Sequence, residues 1–141
     1  MKRIVFLAAV IIAFASCEKE NHEEDNRIVI CPPYKDTIVY KGTFERSSIA
    51  GRTAADVSLK FTNGVFSGSS SVNLFPAIGT GTFSTSANSV TFKNQSMWTA
   101  NFDWTLILDG EFAATVKGDS LILTKFKGYD WIDTYNLKRA N

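Results

Sequence analysis

The chain is poor in the residues that most soluble enzymes use. His22 is its only histidine, and it stands among acidic residues near the N-terminus. Nucleophiles activated by a histidine base, and metal sites built on histidine, are thereby excluded from everything downstream. Cys17 and Cys31 are the only cysteines, too few for a disulfide framework. No basic stripe accompanies the formal net charge of +1, which argues against a nucleic-acid partner. No glycine-rich phosphate loop precedes a helix, because no helical period appears beyond the first residues. Carboxylates remain the only acid–base candidates, with Asp103, Asp130 and Asp133 the ones that flank strands. Flanking carboxylates ordinarily cap turns or stay solvated, so the chain is expected not to be an enzyme and to need neither cofactor nor metal.

Long apolar runs are missing too, and this decides how the N-terminus is read. Residues 4–14 form the longest run, eleven residues after Lys2 and Arg3. A helix that spans lipid needs about 20 apolar residues, so the run is too short to remain as an anchor. Ala15, Ser16 and Cys17 follow it. A basic start, a short apolar run and a small-residue site are the layout of a cleaved secretory leader. Residues 1–16 are therefore expected to be removed. The "FASC" stretch resembles the lipobox of bacterial lipoproteins, in which the cysteine is acylated and becomes the first mature residue. That resemblance implies a membrane attachment through Cys17, and two acyl chains suffice for stable anchoring where one does not. Residues 18–26 then carry five carboxylates against one lysine. Such a stretch cannot bury a core, and residues 17–36 are expected to form a disordered acidic tether stiffened by Pro32 and Pro33. An acidic segment behind the lipidated cysteine is also similar to the surface-export signal of Bacteroidota lipoproteins. An outer-membrane address follows, with the outer face favoured over the periplasmic one.

From residue 37 onward the pattern has period two, with turn signals every eight to twelve residues, the mark of an all-β sandwich or barrel. Strands are expected over 37–46, 53–62, 65–72, 78–85, 89–93, 102–108, 112–116, 121–126 and 131–139. Asn63-Gly64 is a favoured two-residue hairpin loop, because both positions take positive φ readily. It would pair Phe61 with Phe66. A loop at Ala87-Asn88 would pair Phe83 with Phe92, and one at Gly118-Asp119 would pair Val116 with Leu121 and Ala114 with Leu123. A slip of one residue would turn every side chain to the other face, so three concordant hairpins carry weight. Asp109-Gly110 breaks the pattern; there a three-residue loop, 109–111, with a bulge would keep Leu106 and Leu108 on the face of Phe112.

Every link in this reading is local. A meander of eight or nine strands protects its edges by closing, so an antiparallel barrel is preferred to a sandwich. Residues 37–141 would form it as one domain. Its interior set would be Val57, Leu59, Phe61, Phe66, Phe83, Phe92, Leu106, Leu108, Phe112, Leu121, Leu123, Tyr135 and Leu137, with Gly68, Gly79 and Gly81 easing tight curvature. The stretches "YKGTFE", "IGTGTFSTSANSVTF", "WTANFDWTLILDGEF" and "DTYNLKR" resemble small Bacteroidota lipoproteins with a lipocalin-like domain. Gly42-x-Phe44 is similar to the Gly-x-Trp of lipocalin first strands, with Lys138 or Arg139 in the place of the closing-strand cation. The resemblance implies a calycin-type barrel and assigns no activity.

All three tryptophans fall in "MWTANFDW" and "YDW". Aromatic faces beside hydrogen-bonding carboxylates suit a sugar ring, and a barrel mouth is a common ligand site. Met97, Trp98, Phe102, Asp103, Tyr129 and Trp131 are thus the candidate ligand-binding residues. The competing reading has these rings plug the barrel, since an eight-stranded interior is just wide enough for side chains to fill. Trp104 continues the alternation of Leu106 and Leu108 and is assigned to the core; Trp98 is assigned to the surface. Two function classes follow: a protein-interaction or accessory module of the envelope, and a carrier of a small apolar or glycan ligand at the mouth. Thr37 and Ser120 also lie in Asp-Ser/Thr-apolar triplets that resemble Bacteroidota O-glycosylation acceptors.

Overall fold

The computed structural model describes residues 37–99, 101–128 and 130–140. The leader, Cys17, the tether, Cys31 and Tyr129 lie outside them. Eight strands follow in order: β1 (Ile38–Ser48), β2 (Gly51–Thr62), β3 (Val65–Ser70), β4 (Thr80–Thr85), β5 (Ser89–Asn94), β6 (Gly110–Lys117), β7 (Ser120–Lys127) and β8 (Trp131–Arg139). Each pairs antiparallel with the next, and β8 returns to β1, so the meander closes into a barrel. Closure settles barrel against sandwich and gives every strand a neighbour on both sides. The seam is long: Tyr40 to Ser48 lie opposite Arg139 to Trp131.

Three hairpins have the register that their turns dictate. Phe61 lies opposite Phe66 across Asn63-Gly64, where φ is +49° and +76°. Phe83 lies opposite Phe92, and Leu121 and Leu123 lie opposite Val116 and Ala114. The inward set follows from these registers, and every residue assigned to the interior from alternation is buried. Tyr40, Phe44, Ile78, Val90 and Ala114 complete the same cluster. Its rings meet edge to face, as in Phe66–Phe92 and Phe92–Phe112 with centroids 5.1 and 5.6 Å apart. Such pairs add about 0.5–1.5 kcal/mol beyond their burial. The barrel interior is therefore filled by side chains. Close backbone approach explains two of the glycines: a Cβ on Gly68 would strike the carbonyl oxygen of Ser58, and one on Gly81 that of Lys93.

The two ends of the barrel differ. The hairpin end carries the turns after β2, β4 and β6, and the chain also begins β1 and finishes β8 there. The loop end carries the β1–β2 turn, the β7–β8 turn and two long connections, residues 71–79 and 95–109. Those two connections pair with each other: Ala77 N–H donates to Leu106 O and Leu108 N–H to Ala77 O, at 3.1 and 3.0 Å. They carry Phe75, Ala77, Ile78, Leu106 and Leu108 into the core from that end.

The loop end corrects three expectations. Residues 102–108 are no strand: Trp104–Leu106 is a 3-10 turn, and Ile107 makes only an isolated bridge to Ala77. No 109–111 hairpin or bulge exists, because β6 begins at Gly110 and pairs with β5, Phe92 opposite Gly110. Leu106 and Leu108 do reach the core, but through a turn, and the strict alternation that placed Trp104 beside them fails. Trp104 is 55% exposed.

Candidate functional site: the loop end

Alternation continues inward at the loop end with charge instead of carbon. In β1 the inner positions run Tyr40, Gly42, Phe44, Arg46; in β8 they run Leu137, Tyr135, Asp133; in β7 they run Leu121, Leu123, Lys125. Asp133 lies opposite Arg46 on one side and opposite Lys125 on the other. Arg46 and Asp133 are buried, Asp133 to 3% exposure.

Arg46 uses all five of its N–H donors. Nε and Nη2 donate to the two carboxylate oxygens of Asp133 at 2.6 and 2.7 Å. Nη1 donates to Asp103 Oδ2 and Thr105 Oγ1 at 3.0 and 2.8 Å, and Nη2 also donates to Thr105 O at 2.9 Å. Asp103 in turn caps the 3-10 turn, accepting from Thr105 N–H at 2.9 Å and from the Thr105 hydroxyl at 2.6 Å. Arg46 thus fastens the 95–109 connection to the closing seam. Trp131 lies over the guanidinium at 5.5 Å. Burial opposes the Arg46 charge, yet the hydrogen bond to Asp133 and the charges of Asp133 and Asp103 outweigh it and raise its pKa. For Asp103, burial works upward, while the Thr105 hydrogen bonds and the Arg46 charge win and hold the pKa below the usual carboxylate value. Two carboxylates that serve one guanidinium are occupied as ion-pair partners, which leaves little for acid–base work.

A second network positions the tryptophans. Asn94, the last residue of β5, donates to Ile78 O and Leu108 O at 2.7 and 3.2 Å. Its Oδ1 accepts from Ser96 N–H and from the Trp98 indole at 3.0 and 3.1 Å. Gly79, at φ +60°, lets Trp98 close down, because a Cβ there would come within 2.8 Å of the indole. From Trp98 the rings continue outward: Trp98–Phe102 tilted, then Phe102–Trp104 stacked at 20°, each pair with centroids 5.7 Å apart. Trp98 and Trp104 of this ladder line a cleft of about 390 Å3 together with Lys125, Lys127, Asn94, Ser96, Ile107 and Asp109. A wider cleft of about 560 Å3, on Lys41, Thr43, Asp56 and the serines 58 and 69–71, brings no aromatic ring.

The candidate residues separate accordingly. Trp98, Phe102 and Asp103 meet on the 95–109 connection, and Trp131 joins them through Arg46. Met97 is 98% exposed. Asp130 is exposed, with no role in the Arg46 network. Thr37 stands exposed at the hairpin end with its hydroxyl 2.9 Å from that of Thr62, and Ser120 opens β7 opposite Lys117. Lys138 and Arg139 are exposed; the buried cation beside the first-strand Gly42-x-Phe44 is Arg46, on β1 itself. Residue-level reading from sequence missed Arg46, Trp104, Lys125 and Lys127. The signal for Arg46 was its place two residues beyond Phe44, in the inward set. Comparison with protein-family models, with curated proteins and with solved structures yields no match.

Proposed function

We propose that this protein is a lipid-anchored, non-catalytic module of a bacterial cell envelope, held at the outer membrane through Cys17, which recognises its partner with the outside of the loop end. The observation that carries this reading is the division of labour in the barrel. The interior is packed with aromatic and aliphatic side chains, while Trp104, Trp131 and Phe126 stand 55%, 39% and 72% exposed on or beside the loop end. Exposed aromatic groups on a rigid frame are the usual anchors of recognition surfaces. The chain enters β1 at the hairpin end, so a tether leading to a membrane leaves the loop end pointing away from it. No cofactor and no nucleic acid belong to this reading.

The second reading, a small-ligand binder, is favoured by one observation, the aromatic cleft between Trp98 and Trp104. It places the ligand outside the barrel rather than within it.

A photo-crosslinking residue at position 104 or 126 tests the proposal in cells. A defined adduct from these positions, missing when the residue is placed at Thr91 on the outer wall, is the expected result. Equal adducts from all three positions would remove the loop end's special role. Cys17→Ala should abolish labelling by a fatty-acid probe; unchanged labelling would overturn the anchor.

A further inference from the structure

Part of the loop end's charge is matched and part is not. Arg46 is neutralised by Asp133 and Asp103. Lys125 and Lys127, two residues apart on the same face of β7, form no ion pair among the described residues. Lys125 Nζ donates to the backbone carbonyl of Asp109 and lies 5.1 Å above the Phe112 ring, so its direct partners are a carbonyl and a ring, while Asp133 opposite it is bonded to Arg46. Burial and then the Lys127 charge depress its pKa. The only carboxylate in the cleft is that of Asp109, one of whose oxygens already accepts from Asn94 N–H at 2.9 Å. Asp133 and Asp103, whose charges also reach Lys125 and Lys127, are both bonded to Arg46, so within the cleft itself the two ammonium groups face the Asp109 carboxylate alone.

The opposite wall supplies the rest of the specification. Phe102 stacks on one face of Trp104, which stays mostly exposed, and the Trp104 indole N–H has no hydrogen-bond partner among the described residues. A flat apolar platform, a hydrogen-bond donor at its edge, a carboxylate oxygen able to accept hydroxyls and a cation pair face one another across a cleft of about 390 Å3. That size lies at the small end of ligand clefts. A nucleobase also stacks on a single ring face, so a nucleic-acid control belongs in the test. Resting on the reading of the loop end as the recognition end, we propose that this cleft binds an acidic saccharide. The carboxylate of a hexuronate unit meets Lys125 and Lys127, its C–H face rests on Trp104, and its hydroxyls reach Asp109.

Calorimetric titration of the full chain in detergent with trigalacturonate tests this, with maltotriose as the neutral control and oligouridylate as the nucleic-acid control. The expected result is saturable binding of trigalacturonate, at least tenfold weaker binding of maltotriose, and loss of most affinity in 0.5 M salt. Trp104→Ala should weaken binding up to about tenfold, the value of one aromatic contact. Lys127→Gln should weaken it a few-fold. Both side chains lie at the surface, so unchanged melting temperatures will certify the fold. No saturable binding, equal binding of maltotriose, tighter binding of oligouridylate, or full affinity in both variants would each overturn the proposal. Position-specific crosslinking from 104 and 126 without trigalacturonate binding would refute the ligand class alone; loss of both would refute the recognition end as well.

Discussion

The hairpin end and the loop end of this barrel are built from the same eight strands and obey different rules. At the hairpin end, two-residue turns fix the register and the inward positions are apolar: Tyr40, Phe61, Phe83, Val90, Leu121 and Leu137 are all buried. At the loop end, the inward positions become Arg46, Asp133 and Lys125, and connections of nine and fifteen residues, 71–79 and 95–109, take the place of two of the four turns. Tight hairpins put nearly all their residues into the ladder and leave none to present. Long connections need an independent means of attachment, and the Arg46 network provides it. The comparison teaches that charge enters this interior at the end where two long connections have to be fastened to the strands.

The sharpest way to break that contrast is to remove one partner of the buried pair. Asp133→Ala leaves the Arg46 charge buried against a severed partner, and unfolding free energy in urea should fall by about 3–5 kcal/mol. Replacing both, Arg46→Met with Asp133→Leu, should recover most of the loss, since well-packed apolar groups often substitute for a buried ion pair. A double variant as unstable as Asp133→Ala would show that the network does more than compensate its own charges.

Smaller effects sharpen the comparison. Trp98 is half-buried, packed on Gly79 and bonded to Asn94, whereas Trp104 is mostly exposed. Trp98→Ala should therefore lower thermal stability by about 1–2 kcal/mol and Trp104→Ala by less than about 0.5 kcal/mol. This order is the reverse of the one expected from alternation. At the hairpin end, Gly64→Ala forces a side chain into φ +76°. Chemical denaturation should show a loss of about 1 kcal/mol with no change at the loop end. The smallest effect is acid sensitivity. Asp103 has a depressed pKa in the fold, so its contribution is fully present above the ordinary carboxylate value of about 4 and is lost as pH falls through the lowered one. Hydrogen exchange of the Thr105 and Leu106 amides should quicken over that acid range, and Asp103→Asn should remove the pH dependence.

Much of this was legible in the sequence, and the boundary is physical. Asn63-Gly64, Ala87-Asn88 and Gly118-Asp119 are local signals, each sufficient to set a register, and the alternation they anchor placed most of the thirteen-residue interior set. Closure of β8 on β1 is non-local, so no turn could announce that Asp133 faces Arg46. The 102–108 stretch alternates like a strand, with Phe102, Trp104, Leu106 and Leu108 in step. What makes it a loop is the Arg46 network and the Asp103 cap, which hold Trp104–Leu106 in a 3-10 turn and send Trp104 outward. Tertiary hydrogen bonding overrode the local pattern there. The cleft was invisible for the same reason, since Trp104 and the β7 lysines meet only once that turn has formed.

The central claim is that the barrel is a filled frame whose recognition chemistry lies outside it, at the loop end. Titration with a fluorescent long-chain fatty acid tests it most directly, because an open barrel interior would accommodate such a probe and a filled one would not. The account predicts no saturable binding and unchanged tryptophan emission across the titration. A stoichiometric complex, displaced by unlabelled fatty acid and weakened by enlarging Leu123 to Trp, would place the ligand inside the barrel and contradict it.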